Sequence, residues 1–136
     1  MGFKKLTSLF FILILTIFLF TKHETWADVT DELLLLKKEM GQLFQKGKYS
    51  EAIEIALKAL EVKIKIFGPD HPHTATSLNN LALLYTNMGD YARAEPLFHR
   101  SLKIKEKVLG PDHPRMAFTI FNLAELEGSR KNFDKA

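Results

Sequence analysis

The stretch Gly68-Pro69-Asp70-His71-Pro72 returns 42 residues later as Gly110-Pro111-Asp112-His113-Pro114. The same offset of 42 residues carries Asn80-Leu81-Ala82 onto Asn122-Leu123-Ala124. A period that holds without gaps is the sequence signature of tandem structural units, each too small to bury a core alone. The chain of 136 residues is therefore predicted to be a repeat protein.

The repeating unit has the pattern of two helices joined by a glycine turn. In the middle unit, apolar residues at i, i+3, i+4 and i+7 predict the first helix. Gly89 is expected to end that helix in the left-handed conformation, and Asp90 to cap the second helix. Pro96 lies inside the second helix and is expected to bend it. The predicted core comprises Leu78, Leu81, Ala82 and Tyr85 in the first helix and Ala94, Leu97, Phe98, Ser101 and Leu102 in the second.

These residues resemble the tetratricopeptide repeat. The 42-residue period, the Gly-Pro-Asp-His-Pro turns and the string Ser77–Tyr85 are similar to the kinesin-light-chain subclass in particular. The resemblance implies an all-α fold, in which tandem helix-turn-helix repeats form a short right-handed α-solenoid. It places the repeat domain at residues 28–136, with units at about 28–67, 68–109 and 110–136.

The first helices of such repeats line a concave groove. Helical spacing places Lys38, Asn80 and Asn122 in one row on the side opposite the apolar stripe. The resemblance implies that Asn80 and Asn122 contact a bound peptide, and an asparagine amide can both donate to and accept from a peptide backbone. Asn79 and Phe121 lie at the flank of this row and are expected to line a side-chain pocket. The alternative is that the asparagines are solvated or bond to neighbouring helices.

The predicted function is therefore non-enzymatic protein–protein interaction, with an extended peptide or a partner protein held in the groove. A second hypothesis concerns the last unit, where Glu127 replaces Tyr85 and Lys131 replaces Gly89. Repeats bury their core only between neighbours. The last unit has no second helix, so its edge would serve self-association into a homo-oligomer, or the chain would be a fragment of a longer scaffold.

Residues 1–27 have the three-part pattern of a secretory signal peptide. Lys4 and Lys5 precede an apolar run over residues 6–20, and cleavage is expected after Ala27. The alternative is an uncleaved membrane anchor, although the run is shorter than the roughly 20 residues that span a bilayer. The pattern predicts an exported protein, periplasmic or extracellular, with membrane attachment only if the segment is kept.

Composition and motifs exclude several other classes of function. The chain has no cysteine, which excludes a thiolate metal site and a cysteine nucleophile. Beyond residue 27 it carries 16 basic and 15 acidic side chains, so nucleic-acid binding is not expected. The basic residues of the second helices, Lys105 among them, are expected to be solvated. His71 and His113 are expected to shape or cap the helices that follow them, so no metal, cofactor or catalytic residue is predicted.

Overall fold

The computed structural model describes residues 26–134, which form helices in tandem and contain no strand. The chain divides after Glu32, and the packing described below lies within the unit that begins at Leu33. The all-α prediction is confirmed for the described residues. The helices are α1 (Trp26–Gln45), α2 (Tyr49–Phe67), α3 (Pro72–Asn87), α4 (Tyr91–Leu109) and α5 (Pro114–Asp134).

The predicted signal peptide, residues 1–27, lies outside the described residues except for Trp26 and Ala27, which begin α1. Across residues 26–134 no helix combines the length and the apolar character needed to cross a membrane.

The turn between α3 and α4 is formed by a glycine that adopts the left-handed conformation. Gly89 has φ +78°, and the matching Gly47 between α1 and α2 has φ +69°. The backbone N–H of Asp90 then donates to the carbonyl of Tyr85 at 2.8 Å. The Asp90 side chain accepts from the N–H of Arg93 at 3.1 Å and so caps α4. Both predictions for this turn are confirmed.

The last helix does not repeat this turn. Lys131 occupies the position of Gly89, and α5 continues through it to Asp134. A left-handed conformation costs a residue with a side chain about 1–2 kcal/mol, whereas glycine adopts it without strain. Helix α5 therefore extends beyond the repeat position at which α3 ends.

The loops between repeats end in histidine caps. The Nδ1 atom of His71 accepts from the N–H of His73 at 3.1 Å at the start of α3. His113 Nδ1 accepts from the N–H of Arg115 at 3.2 Å at the start of α5. The first backbone N–H groups of a helix have no acceptor within the helix. The two histidine side chains therefore supply hydrogen-bond acceptors that water would otherwise supply. The predicted capping role of both histidines is confirmed.

The core centres on the contact between α3 and α4. Ala75 and Ala82 on α3, and Ala94 and Ser101 on α4, are all fully buried. Their small size lets the two helices approach closely, and the Ser101 hydroxyl donates to the Ala75 carbonyl at 2.7 Å. Phe98 fills the interior with none of its surface exposed. All nine predicted core residues are buried or half-buried.

Helix α4 continues through Pro96 to Leu109, as the sequence predicts, and the bend expected at Pro96 stays a prediction. One position of α4 differs from the sequence-based expectation. Lys105 was expected in solvent, but only 5% of it is exposed, so that prediction is wrong. Its Nζ donates to the Thr119 hydroxyl at 2.6 Å, which ties α4 to α5. Burial, together with the nearby charge of Arg115, lowers the pKa of Lys105.

We expect Phe98→Ala to lower the free energy of unfolding by about 3–5 kcal/mol, because it removes a fully buried ring and leaves a cavity. Urea denaturation followed by circular dichroism measures the change. Phe118→Ala is the matched control, since Phe118 is 56% exposed and its loss should change stability by no more than about 0.5 kcal/mol. Equal effects of the two substitutions would contradict this description of the core.

Candidate functional site

An apolar cavity of about 250 Å³ lies between α1 and α3, the first helices of two consecutive repeats. Helix α1 contributes one side of the cavity and α3 the other. The lining residues are Met40, Gly41 and Phe44 on α1 and Asn80, Leu83 and Leu84 on α3. We refer to this cavity as the Gly41 pocket.

The pocket is present because one side chain is missing. The 42-residue offset places Gly41 at the position that Leu83 occupies in the next repeat. A Cβ built on Gly41 would meet no other atom within 4 Å. Glycine inside a helix costs about 0.5–1 kcal/mol relative to alanine, so it weakens α1 while it opens the pocket.

The walls of the pocket are positioned by packing outside it. The ring of Phe44 meets the ring of Tyr49 edge-on, with the two centroids 5.6 Å apart, across the turn from α1 to α2. On the other side Leu84 is buried in the core, and Leu83 is half-buried against it. One wall is thus set by an aromatic contact at a turn and the other by the core itself.

Asn80 is the polar residue of the pocket. It is half-buried, and its side-chain amide has no hydrogen-bond partner among residues 26–134. The amide therefore keeps both its donors and its acceptor for a bound molecule. This is the position that the sequence predicted for a groove asparagine, while peptide contact by Asn80 stays a prediction.

The structure places Asn122 differently from Asn80. Asn122 is only 5% exposed and Asn79 only 2%, and Asn122 Nδ2 donates to Asn79 Oδ1 at 3.4 Å. The expectation that Asn122 lies open in a row with Asn80 is wrong in placement, because α5 packs this residue against α3. Asn79 does not flank an open groove either. For Asn122 the structure therefore matches the alternative, in which the asparagine bonds to a neighbouring helix.

The two remaining predicted site residues are exposed but do not line the pocket. Lys38 lies on α1, three residues before Gly41. Phe121 lies on α5 and is 58% exposed. Conversely, Met40 and Phe44 were not predicted as site residues. Aligning the repeats shows the signal that would have found them, namely the absent side chain at position 41.

The histidines at the first inter-repeat loop form an aromatic cluster. The ring centroids of Phe67 and His71 are 4.9 Å apart, and those of His71 and His73 are 5.1 Å apart. Partial burial, followed by the charges of His71, Lys63 and Arg115, lowers the pKa of His73 below its usual 6.5. Within residues 26–134, no three histidine or acidic side chains come together in a way that could hold a metal ion.

Comparisons with known proteins agree on the fold. The tetratricopeptide repeat family model matches residues 43–73 and 74–115. The crystal structure of BtubC (BKLC) from P. vanneervenii is similar over 80% of this chain, with a TM-score of 0.65 and 24% sequence identity. The match covers 41% of BtubC, so this chain spans less than half of that protein's length. No curated protein matches the chain significantly. The resemblance drawn from the repeated turns is confirmed.

The two asparagines that share a repeat position should respond differently to substitution. Asn122→Ala leaves the buried Asn79 oxygen without its partner, and we expect the free energy of unfolding to fall by about 1–3 kcal/mol. Asn80→Ala should change it by no more than about 0.5 kcal/mol, because no intramolecular bond is lost. Chemical denaturation of both variants tests this, and a larger loss for Asn80→Ala would contradict the assignment.

Stability should fall as the pH falls below about 6.5. A histidine with a lowered pKa binds fewer protons in the folded state than in the unfolded state, so protons favour unfolding in this range.

Thermal unfolding between pH 8 and pH 5 measures this dependence. His73→Gln should flatten it, whereas His99→Gln, a change at an exposed histidine of α4, should leave it unaltered. An unchanged pH profile in His73→Gln would rule out this source of the dependence.

Proposed function

The chain belongs to the tetratricopeptide repeat family, and on that basis we propose that it binds an extended peptide segment of a partner protein in the Gly41 pocket. Repeats of this family generally mediate protein–protein interaction, and its members are generally non-enzymatic scaffolds. The single observation that carries the proposal is the apolar pocket between the two first helices with an unpaired amide in its lining.

The size and chemistry of the pocket favour one large apolar side chain as its occupant. Its volume of about 250 Å³ is below that of the pockets that hold drug-sized ligands, about 300–1,000 Å³. Met40, Phe44 and Leu83 would surround the side chain with apolar groups. Burying a leucine- or phenylalanine-sized side chain contributes about 1.5–3 kcal/mol, enough to anchor a peptide.

Asn80 would hold the backbone next to that anchor. An amide that donates and accepts can pair with the N–H and C=O of one extended residue, which fixes the strand direction and register. Leu83, one turn further along α3, borders the same space. The proposed ligand is therefore an extended segment in which one large apolar residue is flanked by accessible backbone.

A substitution that fills the pocket with a side chain tests this proposal. A random peptide library displayed on phage is selected against the wild-type protein, and the Kd of the selected peptides is measured by fluorescence anisotropy. We expect Gly41→Leu to weaken binding by at least about tenfold, because the new side chain takes the place of the anchor. The same change should raise stability by about 0.5–1 kcal/mol, since leucine replaces a helical glycine.

Gly128→Leu is the matched control, because a Cβ there also meets nothing within 4 Å, but on α5. It should leave the peptide Kd unchanged. Asn80→Ala should weaken binding by about five- to tenfold through loss of a hydrogen bond. If Gly41→Leu binds the selected peptides as well as the wild type does, the pocket is not the site.

We propose further that residues 1–27 direct export. The support is the sequence pattern alone: two lysines, an apolar run over residues 6–20 and a small residue at Ala27. Intact mass spectrometry of the exported product tests this, with a mature chain that starts at Asp28 as the expected result. A product that keeps Met1 would support the membrane anchor instead.

A further inference from the structure

Helix α5 presents an apolar face that no described helix covers. The face consists of Ala117, Ile120, Phe121 and Ala124, all exposed, with Ile120 at 49% and Phe121 at 58%. The opposite side of α5 is buried, with Thr119 and Leu126 fully inaccessible. We refer to these four exposed residues as the open face of α5.

In the preceding repeat, a second helix covers the residues equivalent to the open face of α5. By the 42-residue offset, Ala117, Ile120 and Ala124 correspond to Ala75, Leu78 and Ala82 of α3. Those three α3 residues are at most 1% exposed, because α4 covers them. The open face of α5 thus corresponds to the face of α3 that packs against α4.

Helix α5 also carries the pattern of the helix that would cover this face. On α4 the covering residues are Ala94, Leu97, Phe98 and Ser101. On α5 the open face repeats this pattern with the same spacing, as alanine, isoleucine, phenylalanine and alanine. One face of α5 therefore combines the features of a first helix and of a second helix.

We propose that a second copy of this chain covers the open face, in a two-fold pair whose α5 helices run antiparallel. The short turn at Gly89 makes α3 and α4 antiparallel, and Ser101 of α4 bonds to Ala75 of α3. Transferred to α5, that contact places Ala117 against Ala124 of the second copy. The two-fold axis generates the same contact between Ala124 of the first copy and Ala117 of the second. Both open faces are therefore used within the pair, and the dimer does not extend into a longer oligomer.

Charge complementarity supports the same arrangement. In the α3–α4 pair, Arg93 near the start of α4 lies over the Tyr85 ring, 4.6 Å from its centroid. Glu127 replaces Tyr85 in α5. In the proposed pair Glu127 therefore lies beside the first turn of the second copy's α5. That turn contains Arg115 and the positive end of the helix dipole, and both attract the Glu127 carboxylate.

Sedimentation velocity over a range of concentrations tests the proposal. We expect the full-length wild type to dimerise and Phe121→Glu to be monomeric, with unchanged circular dichroism because Phe121 is exposed. Phe118→Glu is the matched control: Phe118 is equally exposed, but its counterpart Thr76 stays uncovered in α3, so this variant should remain dimeric. A monomeric wild type, an open-ended series of oligomers or a dimer that survives Phe121→Glu would overturn the proposal.

Disulfide trapping tests the register, because the protein has no cysteine of its own. An equimolar mixture of Ala117→Cys and Ala124→Cys should oxidise to a cross-linked heterodimer. Either variant alone should not cross-link, since each position is offset from its own copy by about 10 Å along the helix. Cross-linking of the single variants but not of the mixture would exclude this register. The outcome is independent of peptide binding in the Gly41 pocket.

Discussion

The close approach of α3 and α4 is the contact on which the other helices depend. Small residues on both helices allow it, and Phe98 fills the interior beside them. Helix α3 is covered on one side by α4 and on another by α2, and α5 then packs against the α3–α4 pair. Because a solenoid buries its core only between neighbours, the α3–α4 pair, which has neighbours on both sides, provides most of the fully buried residues among residues 26–134.

Away from that pair, each repeat deviates from the common pattern in its own way. At the N-terminal side Gly41 omits a side chain, and an apolar pocket results. At the C-terminal side Lys131 removes the turn, and the face of α5 that a second helix would cover is exposed. Both surfaces proposed above for recognition are thus places where one repeat differs in sequence from the next.

Among the residues that the structure describes, buried polar side chains connect the repeats at two points. Lys105 reaches Thr119 between α4 and α5, and Asn79 meets Asn122 between α3 and α5. A buried polar group without a partner is costly, so each pair constrains the position of α5 more narrowly than apolar contact alone would. These contacts decide which side of α5 is buried and which remains open.

The sequence by itself determined the helical repeat, the glycine turns, the histidine and aspartate caps and the core stripe, because these depend on local conformation and on periodicity within one helix. Tertiary structure alone decided the environment of equivalent positions. Asn80 and Asn122 share a repeat position, yet Asn80 faces the space left by Gly41 while Asn122 faces Asn79. Lys105 shows the same limit, since its burial depends on where α5 packs and not on the charge pattern of α4. The repeat period of a sequence predicts which residues share one face of a helix. Whether that face is buried depends on the helix that packs against it.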